Sequence, residues 1–214
     1  MTKLLMMTCV GLALTWQAAY AGTDTTQINP LFYRGTEYSK VFSPSSGGPY
    51  LYTELPGQRK VLYYDLWFNN VDLKYDAEDD AVITYDITGG LRVALTKEKV
   101  KEFIIGNKRF TRIGNEGYFE VYYDGDHGVF VKWQKVLIRK GIEDPVYKIY
   151  RKIYVSDKNA LVEVGGTNDL LKITGKTGKK YMDQVRNKGL SFKKDFPMAA
   201  AEMMRLADLN ATHE

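Results

Sequence analysis

Apolar side chains recur at every second position through the middle of the chain. Val71, Leu73 and Tyr75 alternate with Asp72 and Lys74, and after the acidic run Asp76 to Asp80 the period returns in Ala81, Ile83, Tyr85 and Ile87. A period of two puts alternate side chains on opposite faces of an extended strand. Gly89-Gly90 turns the chain into Leu91, Val93 and Leu95, a third strand. Within 96–103, Val100 and Phe103 stand three apart among Lys and Glu, which predicts one short helical turn. Gly106-Asn107-Lys108 then predicts a hairpin turn between 103–105 and 110–113. A second hairpin joins 118–123 to 129–138 through Asp124-Gly125-Asp126-His127-Gly128, and Ser156-Asp157-Lys158-Asn159 separates 146–155 from 161–164. About eight to ten strands linked by short turns predict an antiparallel β meander rather than βαβ units.

The last fifty residues change period. Thr167 or Asn168 is placed to cap a helix opening at Asp169-Leu170-Leu171, and Gly175 and Gly178 break it before a further helix over 179–188. Gly189 stops that helix, and Leu190-Ser191-Phe192-Lys193 predicts a short strand. Asp195 caps a final helix through Leu209, whose apolar stripe is Phe196, Ala199, Ala200, Met203, Leu206 and Ala207. Such a stripe needs a surface to cover, and the sheet is the large one at hand. The expected class is therefore α+β: a predominantly antiparallel β domain over 36–166, with a C-terminal helical segment, 167–214, packed on the same domain.

The front of the chain has a different character. Lys3, an apolar run over 4–14 and Ala19-Tyr20-Ala21 before Gly22 form a signal peptide with an A-x-A cleavage site after Ala21. The apolar run is far short of the roughly 20 residues that cross a bilayer. Residues 22–35 follow as a flexible lead-in, rich in Thr, Asp, Gln and Asn as far as Pro30. The expected location is periplasmic or secreted, with no transmembrane span after Ala21. Cleavage removes Cys9, the one cysteine, so the remaining chain of about 190 residues has no thiol for a disulfide, a zinc site or a cysteine nucleophile. It also removes Lys3, lowering the net charge of +4 by one. So small a charge gives no electrostatic footprint for nucleic acid.

Candidate chemistry is sparse. Residues 170–177 end like a phosphate-binding loop, but its first glycine is replaced by Leu170 and the segment reads as helix, so no nucleotide site is expected. Asp124-Gly125-Asp126-His127-Gly128 holds too few oxygens for a calcium loop and has the residues of a tight turn. The acidic run Asp76 to Asp80 reads as a solvated loop that keeps a sheet edge soluble. Only His127 and His213 carry imidazoles, and the turn around His127 shows neither an orienting partner nor a nucleophile. No catalytic residue, metal ligand or cofactor is nominated. A hydrolase working with two carboxylates remains an open alternative.

Aromatic residues are the surplus that chemistry does not absorb. Tyr63, Tyr64, Trp67 and Phe68 fall in one run, and Tyr122 and Trp133 fall in the later hairpin. Tyrosine and tryptophan join an apolar ring to a polar tip, so on an exposed face such a set suits a glycan, a peptide or an apolar ligand. These six are the candidate ligand-binding residues, and the opposing expectation is that they build a core.

The motifs Val71-Asp72-Leu73-Lys74-Tyr75-Asp76, Val100-x-x-Phe103 with Phe110, Tyr118-Phe119-Glu120-Val121, and Asp169-Leu170-Leu171 leading to Leu190-Ser191-Phe192-Lys193-Lys194 resemble a family of uncharacterised exported proteins common in Bacteroidota. The resemblance implies an exported β-rich domain with terminal helices and transfers no catalytic residue. The expected role is a binding or interaction module of the periplasm or cell surface, whose partner is an envelope protein, a glycan or an apolar ligand. The alternative is a carrier holding a lipid between a curved sheet and its helices.

Overall fold

A computed structural model describes residues 31, 34–42, 47–85, 90–139, 141, 144–158 and 160–211. The expected signal peptide, most of the lead-in, Ile87, Gly89 and His213 lie outside the described residues.

In chain order the strands are β1 (Thr36–Glu37), β2 (Tyr50–Leu51), β3 (Arg59–Tyr63), β4 (Leu66–Asn69), β5 (Lys74–Asp76), β6 (Ala81–Tyr85) and β7 (Arg92–Ala94). They continue as β8 (Val100–Ile105), β9 (Lys108–Ile113), β10 (Gly117–Tyr123), β11 (Val129–Ile138), β12 (Val146–Asp157) and β13 (Ala160–Glu163). Helices α1 (Thr167–Thr174), α2 (Gly178–Asn187) and α3 (Phe196–Ala211) close the chain. The strands form two antiparallel sheets, one ordered β1-β7-β6-β5-β2 and the other β13-β12-β11-β10-β9-β8-β3-β4. The class is α+β, as the apolar spacing predicts. The thirteen strands among the described residues exceed the expectation because β1 and β2 are two residues each, too short to show a period, and because the β3–β4 hairpin was not predicted.

The two sheets meet over one apolar core. Phe103 and Phe110 stack with centroids 4.7 Å apart, and Tyr75 and Tyr118 pack on Phe103 at 5.3 and 5.2 Å. Leu73, Val61, Tyr63 and Val100 complete the layer, all at 0 % exposure. Here the sequence expectation for 96–103 needs correcting. A 3-10 turn does form at Lys97–Lys99, but Val100 and Phe103 belong to β8. The register of β3 against β8 shifts between Leu62 and Tyr63, so Leu62 faces Glu102 while Tyr63 faces Val100. The extra residue is a β-bulge, which turns a spacing of three into two side chains on one face.

The tail helices build a second core. Leu170, Val185, Ala199, Ala200, Met203 and Met204 are fully buried against Val129 and Val155 of the larger sheet. Gly175 ends α1 with φ +62° and Gly189 follows α2 with φ +77°, both in the left-handed region that favours glycine. The Asp195 carboxylate accepts the Met198 N–H at 3.4 Å and caps α3. Two details differ from expectation. The N-cap of α1 is Gly166, one residue earlier than the predicted cap. Residues 190–193 form no strand: Leu190 N–H bonds back to Val185 O at 3.3 Å, and Lys194 N–H to Ser191 O at 3.2 Å, which makes the segment a turn. No described helix is long and apolar enough to cross a membrane.

Candidate functional site

The acidic run is solvated only in part: Asp79 is exposed, whereas Asp76 is buried and Asp80 half-buried, and each of these two is a hub. Asp76 is 0 % exposed, accepts the Tyr38 hydroxyl at 2.6 Å and pairs with Lys40 at 3.2 Å. Asp80 accepts Lys97 Nζ at 2.6 Å, Tyr75 Oη at 2.7 Å and Lys132 Nζ at 3.0 Å. Burial alone would raise the Asp80 pKa, but Lys97, Tyr75 and Lys132 outweigh it and hold the carboxyl below its ordinary value of 3.8. A depressed acid contributes stability above its unfolded pKa and loses it as pH falls through the folded one. The thermal midpoint of the protein should therefore drop as pH falls below about 3.8, more steeply than that of Asp80→Asn. Parallel pH curves for the two would contradict this account.

His127 has a partner the sequence hides. Its Nδ1 lies 2.5 Å from Asp208 Oδ1 on α3, and Asp208 Oδ2 accepts the Tyr123 hydroxyl at 2.9 Å and the His127 N–H at 3.1 Å. Burial, with Asp208 beside it, pushes the Tyr123 phenol up to about 12. Asp208 is 81 residues from His127, so spacing could not reveal it. The arrangement resembles the base-and-orienter pair of a hydrolase, but among the described residues no serine or threonine hydroxyl is hydrogen-bonded to His127, and the Ser156 hydroxyl donates to Asp126 O at 3.0 Å. Its evident effect is to tie the 124–128 turn to the last helix.

The third hub lies between the sheets. Glu120 of β10 is 2 % exposed, and its Oε2 accepts Tyr52 Oη at 2.7 Å and Trp133 Nε1 at 2.6 Å. Lys108 Nζ sits 2.8 Å from Oε1. One carboxylate thus sets two rings, which stand nearly perpendicular at 86° with centroids 6.2 Å apart. Burial, then the charge of Glu120, raises the Tyr52 and Tyr122 phenols, so both stay protonated donors. Tyr52 holds φ +55°, a conformation a bulky residue keeps only when its surroundings enforce it.

Strand β11 explains why a cleft opens here. Its ladder with β10 ends at Val131, while its ladder with β12 runs on to Ile138. The far part of β11 and β12 is therefore a two-stranded ribbon that leaves the large sheet and leans on the small one, where Lys135 N–H donates to Ala77 O at 3.1 Å. Between ribbon and β2 lies a cleft of about 420 Å³, with Leu51, Tyr52, Leu55, Trp133, Lys135 and Ile149 among its walls. That volume is within the range of small-ligand sites, and the walls are mostly apolar, as in such sites.

The six residues singled out from sequence do not form one patch. Tyr63 and Phe68 are core residues, 0 % and 3 % exposed. Tyr64 occupies the β3–β4 turn, with Lys99 over its ring at 5.4 Å. Trp67 is 38 % exposed on edge strand β4, with Lys60 over it at 4.8 Å. Tyr122 and Trp133 do come together: Lys108 reaches Glu120 and lies over the Tyr122 ring at 5.4 Å, while Glu120 holds Trp133. Strand β4 is four strands from β10, about 19 Å at ordinary strand spacing, so Trp67 belongs to a separate surface. Tyr52, Glu120 and Lys135 were missed by the sequence reading; a glutamate and a lysine at inward positions of alternating strands were the available signal.

A larger hollow of about 540 Å³ lies beside α1, walled by Gly166, Arg186, Phe192 and Phe196. The Asp169 carboxylate already accepts Gly165 N–H there at 3.1 Å, so a donor at that helix start is occupied. Among the described residues no cluster of histidine, cysteine or carboxylate side chains is arranged to hold a metal ion. What the fold and site define is an α+β protein of two sheets with an aromatic cleft where a ribbon joins them. No family model, curated protein or solved structure matches the chain.

Proposed function

We propose that this protein is an exported binding module without a catalytic centre, and that the cleft between β2 and the β11–β12 ribbon receives an apolar or aromatic group of its ligand. The observation that carries the reading is the Glu120 hub, which fixes Tyr52 and Trp133 as preorganised walls of a mostly apolar cleft. Preorganised rings lose little freedom on contact, so more of the contact energy remains as affinity. The sheet–helix interface supports surface binding over internal carriage, because Leu170, Val185, Met203 and Met204 fill it at 0 % exposure. Export rests on the pattern of the first 21 residues and on the resemblance to exported β-rich proteins. Protein recovered from the periplasm or medium of an expressing cell should begin at Gly22 by intact-mass measurement; a full-length mass with cytoplasmic retention would refute export.

Trp67→Phe in the chain from Gly22 leaves Trp133 as the sole indole, a reporter inside the cleft. Titration with indole-3-acetate and its amide, or with phenylacetate and its amide, should change Trp133 emission saturably for the pairs whose own absorption permits the reading. In Trp133→Ala, calorimetry should find binding lost. Unchanged emission with no heat of binding would sink the cleft as a site.

A further inference from the structure

Several partly buried lysines in this protein meet carboxylates. Lys40 pairs with Asp76, Glu78 and Asp79, Lys97 and Lys132 with Asp80, and Lys108 with Glu120, all at 2.6 to 3.2 Å. Lys135, the most buried lysine among the described residues, is not paired in this way. It continues the inward series Val129, Val131 and Trp133 of β11 at a position where the alternation calls for an apolar residue, and it is 8 % exposed. Its Nζ donates to two backbone carbonyls, Gly48 O at 3.0 Å and Tyr50 O at 2.6 Å. An ammonium has three N–H donors, so one remains, and among the described residues no carboxylate pairs with it. Burial lowers its pKa, the mark of a cation whose surroundings do not fully replace water. Carbonyl dipoles offset part of that cost; an anion arriving from outside would offset more.

Lys135 also forms part of the cleft wall, beside Leu51, Tyr52, Leu55, Trp133 and Ile149. It is a buried cation with no carboxylate in ion-pair contact among the described residues, influenced only at longer range by Asp76, which Lys40 already pairs. Set in a mostly apolar wall that also carries Glu54, such a cation describes a ligand with two parts. We propose that the ligand of this cleft is an apolar or aryl carboxylate, its ring or chain lying against Trp133 and Tyr52 and its carboxylate accepting the remaining Lys135 N–H. This rests on the cleft being the binding site and adds the charge of the ligand.

The test is a calorimetric comparison of phenylacetate with phenylacetamide, and of indole-3-acetate with indole-3-acetamide, at neutral pH. Each pair shares an apolar body and differs in charge. The acids should bind about tenfold or more tightly than their amides, the scale of a charge-assisted hydrogen bond in a partly dry site. Lys135→Met should bring the acids down to the affinity of the amides, while Lys135→Arg, which keeps the cation, should retain a preference for the acids. Circular dichroism checks that both variants fold; should Lys135→Met not fold, the wild-type pairs and Lys135→Arg decide. Equal affinity of acids and amides overturns the carboxylate and leaves the cleft standing. Acid preference that survives in Lys135→Met overturns the assignment to Lys135. Absence of binding by all four compounds overturns the cleft itself.

Discussion

Glu120→Ala should lower the stability of the protein by about 3 kcal/mol and remove ligand binding together. Removing one partner of a buried ion pair costs about 3–5 kcal/mol, because the remaining charge and donors lose their acceptor. In this protein the losers are Tyr52 Oη, Trp133 Nε1 and Lys108 Nζ. Lys108 is 27 % exposed and recovers some hydration, which places the expected loss at the lower end. In a chain of this size each kcal/mol moves the thermal midpoint by about 2–4 °C, so a fall of about 6–12 °C is expected. Glu120→Gln keeps an acceptor oxygen and should lose about half as much. Its rings should stay partly fixed, so binding should weaken without vanishing. A midpoint unchanged within 1–2 °C for Glu120→Ala, roughly the scale of a neutral surface change, would show that the carboxylate does not hold the rings.

Phe103→Ala should have the largest effect on folding. Phe103 stacks on Phe110 at an interplanar angle of 6° and touches Tyr75 and Tyr118, all at the meeting of the two sheets. Truncating a buried phenylalanine costs about 3–5 kcal/mol, from lost apolar burial and from the cavity left behind. The site can close little, because its neighbours are ring side chains anchored elsewhere: Tyr75 Oη to Asp80 at 2.7 Å and Tyr118 Oη to Lys97 O at 3.2 Å. A midpoint fall of about 6–20 °C follows. The loss should appear in denaturant melts as a shift of midpoint with the slope unchanged. A loss under about 1 kcal/mol would mean that the sheets do not share this core.

Much of this architecture was legible because burial imposes a period. Val129 and Val131 alternate with half-buried neighbours at the start of β11, whereas residues 81–85 and 118–123, which also lie in strands, bury both faces over part of their length. The final helix was legible from its apolar stripe and its Asp195 cap. Other elements lack the local signal. The β3–β4 hairpin turns on Tyr64 and Asp65, with φ +49° and +64°, where the turn chemistry usually shows asparagine or glycine. Strand β2 is two residues long, and its place comes from pairing with β5 and from Lys135 holding its carbonyl.

The site was less legible than the fold. Aromatic content pointed toward Trp133 and Tyr122, yet equally toward Tyr63 and Phe68, since a ring in a core and a ring at a cleft look alike in sequence. What distinguishes them is the polar partner. Glu120 lies 68 residues from Tyr52 and 13 from Trp133, and Gly48 O lies 87 from Lys135, separations that only the folded sheets bring together. The acidic run misled for the same reason. Carboxylates in a row read as solvated until Lys40, Lys97 and Lys132 are seen to arrive from distant parts of the chain.

The central claim is that the cleft at the foot of the β11–β12 ribbon is where this protein meets its ligand. Two-dimensional NMR of the isotope-labelled protein, titrated with phenylacetate, tests it residue by residue. The account predicts saturable shifts concentrated at Leu51, Tyr52, Leu55, Trp133, Lys135 and Ile149, with the tail helices unmoved. Shifts centred on α1 and the 190–196 turn, or on Trp67, would contradict it.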